Sequence, residues 1–274
     1  MLSPYQELET MVDLDYAQAV TCALLSRDIY EDFASPRLNG FEKTHPYYVL
    51  DDPSTDTQGA VIVDSDASTI HIVFRGSSHE KDWDINRSFS PTVAEFKQEV
   101  IQGEIVEEQE KTYPYAEGSS SGSMMHSGFV KAYMAEKIRP AIHQYLNDHI
   151  TAAPPRVIVT GHSLGGAIAT LCAVDIQYNF ESKISSIELY SFGAPRVGNR
   201  NFQESFSRRV PQSYRFIYGM DMVPALPRPW QGYVHTDHEY RLGSRFGWQF
   251  LSRRFKDHKI DNYIEALQSK LSKS

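Results

Sequence analysis

The chain has 274 residues, 41% hydrophobic and 23% charged, with a formal net charge of −8. That acidic balance argues against nucleic acid or a strongly anionic membrane as the main partner, and no run approaches the ~18–20 consecutive apolar residues of a membrane span. Length and composition fit one soluble α/β domain with a substantial core.

Cys22 and Cys172, the two cysteines of the chain, both sit in apolar segments and read as buried thiols, not as a disulfide framework. The first ten residues lack the basic and apolar blocks of a secretory leader, so a cytoplasmic location is expected.

In chain order, residues 14–33 predict a helix, with Tyr16, Val20, Ala23, Leu24 and Tyr30 recurring at three- and four-residue spacings. A loop with Pro36 and Gly40 leads to a short strand at Tyr47–Leu50, and Gly59–Arg75 reads as two strands around a Ser/Asp-rich turn. The second of these ends at Phe74-Arg75-Gly76-Ser77-Ser78, a strand's carboxyl end, where α/β sheets place their sites. Residues 78–90 combine Trp83, Ile85 and Phe89 with charged neighbours, the composition of a lid that opens on an apolar surface. Residues 91–112 alternate apolar and acidic positions without a clear period, and Gly118–Ser123 reads as a flexible surface loop. A helix is predicted from His126 through Pro140 to about His149, and Pro154-Pro155 precede a strand at 156–160. Beyond it, strands are predicted at Ile184–Phe192 and Ser213–Gly219, with a helix around 200–208 between them. Residues 225–247 are rich in Pro, Gly and aromatics, and a last helix carries Asp257 and His258 at its start.

The pivotal stretch is Val157-Ile-Val-Thr-Gly161-His162-Ser163-Leu164-Gly165-Gly166-Ala167. A β-branched run, Gly-x-Ser-x-Gly and a small-residue helix follow one another in the order a nucleophile elbow requires. Glycines flanking Ser163 relieve crowding where the backbone reverses, and the amides at the new helix's N-terminus suit an oxyanion. A second oxyanion donor must come from a separate loop, and Gly76-Ser77 is the candidate.

A serine hydroxyl needs a base, and the base needs a carboxylate that fixes its tautomer. With an elbow of this type the acid follows the serine and the histidine follows the acid. Asp175 lies twelve residues into the helix after Ser163, roughly 18 Å away at helical rise, too far for a relay. Asp221 ends a predicted strand and should project at the same sheet edge as Ser163, with Asp237 and Asp257 as alternatives. For the base, His258 is preferred modestly over His235 and His238. His235-Thr-Asp237-His238 packs three metal-ligating side chains into four residues, but its spacing matches no familiar zinc arrangement.

These residues lie in motifs that run in register from about Val61 to Tyr263: Phe74-Arg-Gly-Ser77 with Asp82-Trp83, His126-Ser-Gly-Phe with Ala132-Tyr133, Gly161-His-Ser-Leu-Gly-Gly166, Phe192-Gly-Ala-Pro-Arg-Val-Gly-Asn199, Asp221-Met-Val-Pro224 with Leu226-Pro227, Tyr233-Val-His235, and His258 with Tyr263. In them the sequence resembles the class 3 (fungal-type) lipases. The resemblance implies a single α/β-hydrolase domain over residues 1–274, with a mixed, mostly parallel central sheet flanked by helices. It implies Ser163 as nucleophile, Asp221 as acid and His258 as base, with Ser77 and the backbone amide of Leu164 as oxyanion donors and residues 78–90 as the lid. The expected reaction is hydrolysis of acylglycerol esters through an acyl-enzyme, without a metal or an organic cofactor. Expected partners are a lipid or small ester substrate and, transiently, a lipid interface, with no nucleic acid. Phospholipase A1, galactolipase or short-chain esterase activity would use the same triad, and a lipase-like binding protein without turnover is the alternative outside enzymes. Three departures stand out: Asp237 occupies a position where glycine is common, the insert around Gly118–Ser123 falls in variable territory, and the signal and disulfides expected of secreted members are missing.

Overall fold

A computed structural model of the chain describes residues 14–31, 47–64, 66–76, 123–150, 153–236, 238–244 and 256–273. Ser77, the expected lid at 78–90, the segment 91–112 and Asp237 lie outside the described residues.

Seven strands form one sheet in chain order: β1 (Tyr47–Asp52), β2 (Thr57–Val63), β3 (Thr69–Phe74), β4 (Arg156–His162), β5 (Ser186–Phe192), β6 (Ser213–Tyr218) and β7 (His238–Leu242). β1, β2 and β3 pair antiparallel, and every later pair is parallel. This is the mixed, mostly parallel sheet that was expected.

The parallel strands are buried on both faces, which is why they read as near-continuous apolar runs. Alternation still sorts their side chains. Val157, Val159, Ile187 and Leu189 enter one core with α2 (Ser127–Met134), α3 (Arg139–His149), α4 (Leu164–Phe180) and α5 (Arg200–Arg209). Ile158, Tyr190, Phe192, Tyr214 and Phe216 enter a second core with α1 (Tyr16–Asp28) and α6 (Ile260–Leu271). The small residues Ala167, Ala169 and Ala173 are fully buried and let α4 lie close on the sheet.

Four boundaries depart from the sequence reading. The helix expected over 14–33 spans Tyr16–Asp28: Asp15 caps it by accepting from the Gln18 amide at 3.0 Å, and the Tyr30 amide closes a tighter final turn on the Arg27 carbonyl. The helix expected over 126–149 is two helices, because Pro140 has no N–H and its ring crowds the carbonyl one turn back. The stretch 225–247, expected to be irregular, contributes β7 along β6. His258 sits in the turn before α6, outside the helix itself. Among the described residues no helix is long and apolar enough to cross a membrane.

Candidate active site

The elbow forms where β3, β4 and α4 meet. Ser163 follows β4 directly and has φ 58° and ψ −129°, a backbone conformation that non-glycine residues rarely adopt. Its amide donates to the Phe192 carbonyl at the end of β5, and its carbonyl accepts from Gly166, so the ladder and the new helix hold the strained residue from both sides. The crowding explains the glycines. A Cβ at Gly161 would lie 2.4 Å from the Gly165 carbonyl, and one at Gly165 would lie 2.3 Å from the Phe74 carbonyl oxygen.

Three side chains converge at this carboxyl edge of the sheet. Ser163 Oγ is 2.9 Å from His258 Nε2, and His258 Nδ1 is 2.8 Å from Asp221 Oδ2. Ser163 is 2% exposed and the Asp221 side chain fully buried, while the His258 side chain keeps 18% exposure, enough to meet a substrate from one side. A carboxylate can only accept, so Nδ1 carries the hydrogen and Nε2 is left to accept from the serine hydroxyl.

Asp221 is held by more than His258. The Tyr263 hydroxyl of α6 donates a hydrogen bond to the same Oδ2, and the Val223 amide donates to Oδ1 at 2.9 Å. Burial, followed by the Asp221 charge, pushes the Tyr263 phenol far above its ordinary range, so it remains a donor. Gly193, at φ 59°, passes close by, and a Cβ there would meet Asp221 Oδ2 at 2.7 Å.

The loops carrying Asp221 and His258 are tied together. Asp257, next to His258, accepts at 2.8 Å from the amide of Met220, next to Asp221. His235 donates from Nε2 to the Pro224 carbonyl at 2.6 Å, and Arg196 donates to the Pro227 carbonyl at 2.8 Å, bracing the chain beyond Asp221. Burial, then the charges of Arg215 and Arg196, pushes the His235 imidazole down to about 2, so it stays neutral.

The remaining candidates are elsewhere. His238 opens β7 at the sheet edge, exposed, and is not brought to Ser163. Asp175 is wholly buried within α4, where Arg139, His143, Tyr133 and Asn179 all bond its carboxylate. Burial alone would raise its pKa, but His143 and Arg139 outweigh that and hold it below the usual carboxylate range. Leu164 is the first residue of α4, whose opening amides have no partner within the helix. Ser77 itself is not described, but Gly76 beside it is packed on the elbow: a Cβ there would lie 3.2 Å from Ser163 Cβ.

Residues 71–230 match the family model for class 3 lipases. The chain belongs to the class 3 lipase family. It is 34% identical over 187 residues to a lipase of Rhizomucor miehei, a match covering 68% of this chain and 45% of that protein. It is 36% identical over 116 residues to a chloroplastic phospholipase A(1) of Arabidopsis thaliana, covering 40% of this chain and 26% of that protein. It superimposes with a TM-score of 0.61 and 26% identity on a triacylglycerol lipase whose catalytic centre is a serine protease triad, covering 82% of this chain and 79% of that one. The chain spans about half the length of the curated relatives it matches. Within this class 3 lipase site, Tyr263, Tyr30, His162 and the Val223 amide were given no role by sequence reasoning. Tyr30 counted only as an apolar position of the first helix, and nothing in its spacing marked it as a partner of the elbow.

Proposed function

We propose that the protein is a lipase-type serine hydrolase that cleaves carboxylic esters of acylglycerols through an acyl-enzyme on Ser163. The observation that carries this reading is the unbroken relay from Ser163 Oγ to His258 Nε2 at 2.9 Å and from His258 Nδ1 to Asp221 Oδ2 at 2.8 Å. Ser163 Oγ attacks the ester carbonyl carbon while His258 Nε2 takes its proton, and Asp221 stabilises the resulting imidazolium. The negative oxygen is received by the Leu164 amide and Ser77. As the tetrahedral species collapses, the bond to the alkoxy oxygen breaks and His258 returns the proton to the leaving alcohol. A water then repeats the sequence on the acyl-enzyme and releases the fatty acid.

A series of p-nitrophenyl esters from short to long acyl chains, run with Ser163→Ala alongside, tests the reading. Turnover should rise with chain length and vanish in the variant; turnover retained by Ser163→Ala would overturn it. Ser77→Ala should cost about 2–4 kcal/mol of transition-state stabilisation, read as a fall in kcat. The similarity to a phospholipase A(1) favours a second substrate class on the same triad, acyl chains of phospholipids. Fatty-acid release from phospholipid vesicles in preference to emulsified acylglycerol would select it.

A further inference from the structure

His162, the residue before the nucleophile, is buried at the end of β4, with its ring centroid 4.5 Å from that of His258 and tilted by 33°. Its Nε2 lies 2.7 Å from the backbone carbonyl oxygen of His258, and its Nδ1 lies 2.9 Å from the hydroxyl of Tyr30, in the turn after α1. A carbonyl oxygen only accepts, so Nε2 must carry the hydrogen. A neutral imidazole has one N–H, which leaves Nδ1 to accept from Tyr30. The His258 carbonyl thus fixes the tautomer, and the Tyr30 hydroxyl, in the turn after α1, donates to the nitrogen left bare.

We propose that His162 is a positioning residue for His258, holding its backbone and facing its ring so that Nε2 stays aimed at Ser163, and that Tyr30, donating to Nδ1, braces the His162 ring in the orientation in which it does this. The inference rests on the reading of His258 as the base.

The arrangement answers a need of that chemistry. The base becomes a cation at each proton transfer, and a second cation stacked on it would oppose that step. Burial, followed by the charge His258 can carry, holds the His162 pKa well below its ordinary value, so the neighbour remains neutral while the base cycles. Among the described residues, Tyr30 from the turn after α1, His258 from the turn before α6 and Tyr263 from α6 lie against the His162 ring. The phenols supply dipoles and no negative charge that would draw a proton onto His162. Gly76 closes the same corner, since a Cβ there would lie 2.1 Å from the Tyr30 hydroxyl and 2.8 Å from the His162 carbonyl oxygen.

The test compares His162→Phe, His162→Gln, Tyr30→Phe and His258→Ala on a soluble p-nitrophenyl ester, with rates expressed per serine titrated by a p-nitrophenyl phosphonate. Phe keeps the ring but loses the donor, whereas Gln can return a donor near the Nε2 position. His162→Phe should lower kcat about 10- to 100-fold with KM nearly unchanged, the effect of a misaimed group, and His162→Gln should recover most of the loss. Tyr30→Phe should give a smaller fall in the same direction. In the unsubstituted protein, the nitrogen-15 histidine spectrum should show His162 as the neutral Nε2–H tautomer across roughly pH 5–9, a readout that stands even if a variant fails to fold. Wild-type kcat per titrated site in His162→Phe, no recovery in His162→Gln, or an Nδ1–H tautomer would each overturn the proposal. Loss of turnover in His258→Ala together with full activity in His162→Phe would overturn the positioning role alone. Turnover retained by His258→Ala would remove the base reading and the positioning role with it.

Discussion

Asp221 shows how much of the site resides in groups with no chemistry of their own. Its Oδ2 receives both His258 Nδ1–H and the Tyr263 hydroxyl, and its Oδ1 receives the Val223 amide. A buried carboxylate with several donors keeps one orientation. Tyr263→Phe removes one charge-assisted donor at constant shape, a loss of about 1.5–3 kcal/mol, so kcat should fall roughly 10- to 100-fold with KM unchanged. An unchanged kcat would mean that His258 and Val223 suffice to hold Asp221. Ser163 and Asp221 were legible in the sequence because each closely follows a strand that carries a β-branched or aromatic run. His258 was separable from His235 and His238 by residues alone only modestly, and by its motif more firmly. Tyr30 and His162 were not legible in this sense: their bond joins the turn after α1 to the end of β4 across 132 positions of chain, and no local pattern encodes that.

At the scale of elements, the elbow depends on how closely α4 approaches β3. Gly165→Ala would put a methyl group 2.3 Å from the Phe74 carbonyl oxygen, a backbone atom that cannot swing aside. The end of β3 must then move, and with it the Gly76 corner that faces Ser163. A melting curve and an ester assay on the same preparation should show lowered stability and a larger loss of turnover; wild-type values in both would show that the contact is slack. The Asp175 cluster ties α4 to α2 and α3 through Tyr133, Arg139 and His143. Replacing Arg139 by Met leaves a buried carboxylate short of its bidentate partner and should cost about 3–5 kcal/mol in urea unfolding. A loss under about 1 kcal/mol would show that the remaining donors compensate. The sheet's parallel strands were readable because burial on both faces demands continuous apolar runs. β7 was not: His238-Glu-Tyr-Arg-Leu242 is short, largely exposed and polar, and its place is set by pairing with β6. The break between α2 and α3 was marked in the sequence by Pro140 and was read through.

Across the whole molecule, neutral histidines should make stability fall on mild acidification. Burial, then the Arg156 charge, pushes His71 down to about 4, and burial pushes His126 down to about 4. His162 and His235 are shifted in the same direction. His126 must be neutral to cap α2, because its Nδ1 accepts from the Gly128 amide. In the unfolded chain each titrates near its ordinary value of about 6.5, so their contribution is fully present above that pH. Below it the unfolded state binds more protons, and stability should fall by about 1.4 kcal/mol per pH unit for each such imidazole until its folded-state value is reached. Urea titrations from pH 7 to roughly pH 5 would show this slope, and His126→Gln should flatten it by one imidazole; a flat profile would place the histidines in water. The catalytic account itself is tested most directly by trapping the acyl-enzyme: mixing the protein with a p-nitrophenyl ester, quenching in acid and mapping the acyl group by peptide mass spectrometry. The account predicts a single acyl adduct on the peptide containing Ser163, absent from Ser163→Ala. An adduct on another residue, or turnover in Ser163→Ala, would contradict it.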